Sequence, residues 1–373
     1  MFIALRDLRF ARGRFALMGA VVVLIAVLGV ILSGLATGLA DSGISSLRAL
    51  PATSLAFQPS ASGELFTRST VTRATWQAWA RQPGVQQAAP LGYALVHARA
   101  SRGAHPRGQL DLAVFGVEPG SFIAPTLTAG VGLASGPGIV ISQDIAKKGV
   151  RIGDVLTVDQ VGTRLPVIGE TGAASFGHVG VVYASLATWQ RLHYGLPGQL
   201  PAGARAQATA VALRLASGTA TAVIDHRLGT RTITRQAAYA ASPGYSAESG
   251  TMGLIRGFLY VISGLVVGAF FTVWTIQRKA ELALLRALGA TTGYLLRDAF
   301  AQVVTILVAA TGIGTGIGLA LGSLLSGSAP FSLQAGPVAT AAGLLVALGV
   351  AGALAAVRRI TGIDPATALG DHR

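Results

Sequence analysis

Gln277–Arg297 reads QRKAELALLRALGATTGYLLR, and it is the one charged stretch between two long apolar runs. Arg278, Lys279, Glu281 and Arg286 share it with Leu282, Leu284, Leu285 and Leu288. Such a pattern predicts a helix with a charged side and a leucine ridge. Glu281 stands three residues after Arg278, a spacing that adds a few tenths of a kcal/mol in a helix. Gly289 suits the left-handed stop after Leu288, and Thr291 or Thr292 can cap a second helix. A simple hairpin loop needs only a few polar residues. About twenty that keep an amphipathic pattern leave an apolar ridge in need of a partner.

The flanking runs set the class. Of 373 residues, 51% are apolar and 12% charged, with a mean hydropathy of +0.59. A soluble chain carries about 25% charged residues, so lipid solvates much of this one. Phe15–Ala40 has no charge and exceeds the roughly 7–15 residues of a signal-peptide core. It is read as a retained span, with Gly34 and Gly38 as a close-packing pair. Thr251–Ile276 is the second span, broken only by Arg256. That arginine either snorkels to the headgroups or serves a polar cavity or anionic substrate. Gly264 and Gly268 offer it a packing face. The third span, 299–325, repeats glycine from Gly312 to Gly322, and the fourth is 337–357.

Between the first two spans, 41–250 changes texture, with acids, Pro and Gly returning. Strands are expected at 53–58, 93–99, 110–117, 138–142, 155–161, 164–169, 179–183 and 208–215, and helices at 72–82, 143–148 and 186–193. Thr72 is the expected cap of the first of these helices. The fold class that results is an α-helical membrane protein with four transmembrane helices and an extracytoplasmic α+β domain inserted between helices 1 and 2.

In order, the expected parts are an amphipathic N-terminal helix (1–14), helix 1 (15–40), the α+β domain (41–250) and helix 2 (251–276). A cytoplasmic coupling segment (277–298), helix 3 (299–325), an outer loop (326–336), helix 4 (337–357) and a cytoplasmic tail (358–373) follow. Arg6, Arg9, Arg12 and Arg14, the charged segment, and Arg358-Arg359 all fall on one side, and the positive-inside rule makes it the cytoplasm.

Several chemistries are excluded. There is no cysteine, so thiol catalysis, disulfides and thiolate metal sites are absent. No GxxxxGK[ST], HExxH or GxSxG pattern occurs. The six histidines, 97, 105, 178, 193, 226 and 372, show no metal-ligand spacing and read as surface or satisfied side chains. The net charge is +14, yet seventeen of the 29 Lys and Arg are dispersed over 41–250 and eleven flank apolar runs. No basic run is interleaved with aromatics, which argues against nucleic acid.

The run from Arg278 through Thr291, RKAELALLRALGAT, resembles the coupling segment of the FtsX/MacB-type ABC transporter permeases. The tail from Gly362 to Leu369, GIDPATAL, resembles that family's closing motif, and GIVIS at 138–142 its outer core. The resemblance implies a homodimer through helices 1 and 2 in a bacterial cell membrane, with both termini cytoplasmic. It implies no enzyme activity and no intrinsic cofactor, ATP-Mg being held by a separate ATPase subunit in two copies. Glu281, Leu282, Leu285, Arg286, Leu288, Gly289, Ala290 and Thr291 would lie against that ATPase.

The start ALRDL at 4–8 and LSGLATGL at 32–39 are similar to bacterial haem-exporter and DevC-like permeases. That branch implies haem as substrate, entering laterally between helices 1 and 2 of two protomers. Ser33, Thr37, Asp41, Tyr245, Glu248, Met252, Arg256 and Tyr260 are the polar or ligating residues there. Tyr245, Glu248 or Met252 would ligate iron, and Arg256 would meet a propionate. Lipid, antimicrobial or drug export, or FtsX-like mechanical transmission to an outer partner, are the alternatives.

Overall fold

The structure, a computed structural model, describes residues 12–59, 65–103, 105–195, 200–277, 291–325 and 331–358. The chain divides into two compact units, Met1–Leu39 with Ser249–Arg373, and Ala40–Glu248. They are called here the membrane unit and the outer unit.

In chain order, α1 is Arg12–Ala49, followed by β1 (Ser54–Phe57), α2 (Leu65–Arg68), β2 (Val71–Thr72) and α3 (Arg73–Ala80). Next come β3 (Val85–Arg102), β4 (His105–Val117), β5 (Leu127–Gly130), β6 (Ile139–Ser142), α4 (Gln143–Ala146), β7 (Val155–Val158) and β8 (Arg164–Thr171). Then follow β9 (Ser175–Phe176), β10 (Val179–Ser185), α5 (Leu186–Tyr194), β11 (Gln207–Ala208), β12 (Ala210–Leu215), α6 (Thr221–Leu228) and β13 (Arg231–Thr234). Helices α7 (Tyr245–Gln277), α8 (Thr292–Leu325) and α9 (Ala335–Arg358) complete the described chain.

In the outer unit one eleven-stranded sheet runs β13-β1-β12-β3-β4-β10-β6-β8-β5. Strand β7 pairs with both β3 and β8, so β3, β4, β10, β6, β8 and β7 close into a ring. Closure removes the edges that an open sheet would expose. The sequence shows why the ring has an inside. From Leu95 onward, β3 exposes Leu95, His97 and Arg99 and buries Val96, Ala98 and Ala100, the period-two alternation of a strand. Leu112, Val114, Ile139, Ile141, Leu156, Val158, Leu165, Val167 and Val182 join the same buried cluster.

Helix α3 starts where Thr72 accepts a hydrogen bond from the Thr75 amide, the expected cap. Ser185 does the same for α5 through Thr188. Trp189 of α5 lies flat on the cross-strand pair Gly92–Gly116. A Cβ at either glycine would come 2.2 or 2.4 Å from it. A second cluster packs Phe57, Phe66, Tyr93, Phe115, Phe176 and Tyr183 edge to face. Its burial pushes the Tyr183 phenol up to about 12. Asp154, fully buried in the turn before β7, is satisfied by Arg102 Nε at 2.6 Å and by the Arg151 amide.

Strand β13 and helix α6 carry no signal strong enough for the sequence reading, which found neither. Both are short, and β13 has no alternation, with half-buried Thr232 and Ile233 between exposed Arg231 and Thr234.

Among the described residues of the whole chain, four helical stretches are long and apolar enough to cross a membrane: Ala16–Ala49, Tyr245–Trp274, Phe300–Leu325 and Ala335–Ala355. The membrane unit's own core is small, built from Met18, Val22, Ala26, Val267, Trp274, Val303, Ile306, Leu307, Ala310, Leu345 and Ala353. Its helices touch through glycine. A Cβ on Gly314 would lie 2.6 Å from Val23 O and Ala26 Cβ, and one on Gly318 2.8 Å from Val30 Cβ. One on Gly352 would lie 2.4 Å from Gly264 O, and one on Gly268 3.1 Å from Gly352 O. The glycine run of the third span is therefore a seam against α1, and Gly264 and Gly268 form a seam against α9. Gly34 differs from the sequence reading. Its notch is filled by the Phe331 ring, 2.3 Å from where a Cβ would stand, and not by a helix.

Candidate functional site

Strands β9 and β10 are joined by only two residues, Gly177 and His178, with Phe176 paired to Val179. Both have positive φ, +58° and +66°, which a type I′ hairpin turn requires. Glycine meets that need without cost, whereas a residue with a Cβ gives up about 1–2 kcal/mol. His178 is the one non-glycine residue with positive φ among those described.

Its side chain is fully used. Nδ1 lies 2.9 Å from Ser42 Oγ, and Nε2 lies 3.0 Å from Glu248 Oε1. A neutral imidazole satisfies both when Ser42 donates to Nδ1 and Nε2–H donates to the carboxylate. The turn's backbone joins in. The His178 amide donates to the Ser42 carbonyl at 3.2 Å, and the Gly177 amide to the Gly43 carbonyl at 3.0 Å. Ser242 Oγ donates to the same Gly43 carbonyl, and the Ser175 amide donates to Ser45 Oγ. The hairpin thus clasps the 41–45 segment of α1 and reaches the first turn of α7. A Ser-His-Glu trio also suggests acyl transfer. Ser42, however, sits inside a helix whose amides are spent on helical bonds, which leaves no free donors for an oxyanion.

Three of the expected ligand residues meet at this place. Glu248 bonds His178, Tyr245 packs beside Gly43 and edge-on to Tyr239, and Asp41 ion-pairs with Arg48. The sequence reading missed His178 as their centre. A histidine next to a glycine between two strands was the available signal, and the partners lie far away along the chain.

A second cluster forms within the membrane unit. Arg256 Nη2 donates to the carbonyls of Leu32 and Ser33, at 3.5 and 3.3 Å. Its Nε is buried and has no partner among the described residues. Thr37 Oγ1 donates to the Ser33 carbonyl at 2.8 Å, and the Ser332 amide donates to the Gly34 carbonyl at 3.1 Å. The guanidinium thus binds across to α1. Tyr260 follows one helical turn after Arg256, and Met252 precedes it by one turn, both half-buried.

Glu281, Leu282, Leu285, Arg286, Leu288, Gly289 and Ala290 lie outside the described residues, as do 1–11 and 359–373. Thr291 is described. Its hydroxyl and carbonyl accept from the Tyr294 amide at the start of α8, as a cap does. Among the described residues no group of three or more His, Cys, Asp or Glu gathers as a metal cage.

Comparison with known proteins follows the same division of the chain. Residues 16–230 match the family model of the MacB-like periplasmic core domain, and residues 253–365 that of the FtsX-like permease C-terminal region. A protein of Staphylococcus epidermidis named "Putative hemin transport system permease protein HrtB" is 22% identical over 373 residues, covering 99% of both chains. An uncharacterized ABC transporter permease from Mycobacterium bovis is 21% identical over 384 residues, again covering 99% of both. The periplasmic region of MacB from Actinobacillus actinomycetemcomitans aligns with 51% of this chain and 92% of its own, at 13% identity and a TM-score of 0.36.

Proposed function

Because this chain belongs to the FtsX-like, MacB-type family of ABC transporter permeases, we propose that it is the membrane subunit of an efflux pump whose substrate is haem. As an ABC permease it works with an ATPase subunit, and the chain itself carries no phosphate loop. Haem is favoured because a hemin transport permease matches the chain from end to end.

The observation that carries the reading is Arg256. It is a cation inside a span, tied to α1 by Nη2 only, with Nε left unbonded among the described residues. A charge in that position is costly unless it serves a ligand or a partner. Large exposed side chains recur on the same two helices, at Leu17, Leu24 and Leu28 of α1 and at Leu254, Phe258, Val261 and Leu265 of α7. Apolar stripes beside one cation suit a flat hydrophobic molecule with carboxylates at its edge. The stripes also suit a homodimer through these helices. Ser33, Thr37, Met252 and Tyr260 accompany Arg256 in the membrane unit as candidate substrate residues, and Asp41, Tyr245 and Glu248, in the outer unit, are the remaining candidates. Glu281 through Thr291 engage the ATPase, and both termini are cytoplasmic.

Haem should stimulate ATP hydrolysis by the purified permease–ATPase complex. Arg256→Gln should weaken that stimulation by about tenfold or more in haem concentration, the loss of one charge-assisted contact. Glu281→Ala with Leu285→Asp should abolish stimulation while haem binding persists. Hydrolysis that ignores haem in the native complex would remove the substrate. An unchanged complex in the double variant would remove the coupling assignment.

The mechanical alternative asks for an apolar docking patch on the outer unit. Among its described residues the exposed large hydrophobics are Leu95, Val131, Ile152 and Val223. Four such side chains on a surface of this size are ordinary, and this favours export.

A further inference from the structure

We propose that the helical face of the outer unit, built from α3, α5, α6 and the 3₁₀ turn Ala204–Ala206, binds a linear anionic polymer of the phosphodiester kind. The inference does not depend on what the permease moves.

Two stretches of the outer unit hold no acid at all, 65–110 and 171–224. They are far apart in the chain, and the fold joins them, with β2 of the first paired to β11 of the second. Helix α3 comes from the first stretch, and α5, the 3₁₀ turn and the start of α6 from the second. Trp76, Trp79, Leu186, Trp189, Leu192 and Ile224 fix these helices to one buried cluster of the sheet. Leu47 and Leu50 of α1 enter the other cluster. Successive strand residues alternate between the two clusters, so the helical layer and the end of α1 cover opposite faces of the sheet.

The layer carries Arg73, Arg81, Arg191, Arg205 and Arg227, all exposed. Arg73, Gln77 and Arg81 follow at steps of four along one side of α3, which spaces the two arginines by about 12 Å. Arg73 Nη2 donates to the Arg205 carbonyl at 3.3 Å, and Gln190, the neighbour of Arg191, donates to the same carbonyl at 3.2 Å. At the other end Arg227 Nη1 donates to Gln82 Oε1 at 3.3 Å, beside Arg81. The five therefore form one row.

None of the five has an ion pair among the described residues, whereas Arg48, Arg99, Arg102 and Lys147 elsewhere on the outer unit each have one. Asp225, the one carboxylate of the layer, is already occupied. It accepts from the Thr230 hydroxyl at 2.6 Å, the Thr232 hydroxyl at 2.8 Å and the Thr232 amide at 2.9 Å. Like charges in a row repel one another, and a bound polyanion removes that cost.

Two features select the partner. Guanidinium groups only donate hydrogen bonds, so the partner must be rich in acceptors and poor in donors, as a phosphodiester chain is. A folded protein would need an apolar anchor. Among the described residues Val223 is the one large apolar side chain exposed on the layer. A polymer whose charges recur along its length needs no such anchor.

The test is fluorescence anisotropy of labelled poly(glycerol phosphate) with the full chain in nanodiscs of uncharged lipid. Binding should weaken as salt rises. Arg73→Gln/Arg81→Gln/Arg205→Gln should lower the affinity by about tenfold or more and flatten the log–log salt slope by about 0.7 per arginine. Arg48→Gln/Arg99→Gln/Arg164→Gln removes the same charge from exposed positions on α1, β3 and β8 and should bind as the native chain does. Equal losses in the two triple variants would overturn the site, since net charge alone would then be at work. Polyglutamate of matched charge that binds as tightly would overturn the phosphodiester and assign the face to an acidic polypeptide. A native chain that binds no poly(glycerol phosphate) would overturn the proposal outright.

Discussion

The two units of this molecule keep their interiors by opposite means. The outer unit hides its largest side chains, with Trp79, Trp189, Phe57, Phe66, Phe115 and Phe176 all under 2% exposed. The membrane unit buries mostly small and aliphatic residues and brings its helices together at Gly314, Gly318, Gly264, Gly268 and Gly352. Water explains the first pattern, since area removed from it drives packing. Lipid explains the second. Apolar side chains gain nothing by leaving hydrocarbon, so helices associate by close backbone approach. The two polar clusters differ as well: hydrogen bonds are completed around Asp154 and His178, whereas Arg256 holds carbonyls of α1 with its Nε unpartnered among the described residues.

Mutations of opposite sign should therefore injure the two units. The largest loss is expected for Trp189→Ala, which empties the space over Gly92 and Gly116 and should cost about 3–5 kcal/mol. Denaturant unfolding of the full chain in detergent, followed by the remaining outer-unit tryptophans, reads it out. A loss below about 1 kcal/mol would mean that the ring is packed by something else. Gly352→Val adds atoms where Gly264 O is 2.4 Å away from a Cβ and should cost about 1–3 kcal/mol. It should lower the melting temperature of the membrane unit and leave the outer unit's unfolding in place. If Gly352→Val is silent while Gly352→Ala is also silent, the seam between α7 and α9 is not a close contact. Thr72→Ala removes one cap and should cost about 1 kcal/mol, the smallest of the three, with Thr72→Gly costing less.

What the sequence made legible follows from the same contrast. Membrane spans announce themselves because every residue of a long run faces hydrocarbon, so no partner need be known. Caps such as Thr72 and Thr291 are local, and the chain states them within three residues. Most outer strands were visible as short apolar runs, although β3 begins well before the expected 93–99, at Val85, in a stretch that Gln86, Gln87, Pro90 and Gly92 keep from reading as a strand.

Other features depend on distance. Ser42 and His178 are 136 residues apart, and a Gly-His pair lacks the Asn-Gly signature of its turn. The notch at Gly34 was visible as a small residue, but its occupant, Phe331, comes from the other end of the chain. Arg256 was recognisable as an exception inside a span, while its bonds to α1 depend on a helix more than two hundred residues earlier. A histidine reading as satisfied was correct for His178, and its partners were what the pattern did not carry.

The central claim is that this permease moves haem when its ATPase turns over. Reconstituted permease–ATPase complexes in vesicles, with apomyoglobin trapped inside and hemin in the bilayer, measure it directly. With ATP supplied outside, the account predicts ATP-dependent appearance of holomyoglobin in the lumen, lost in Glu281→Ala/Leu285→Asp. Haem delivery at the same rate without ATP, or none with it while hydrolysis proceeds, would contradict the account.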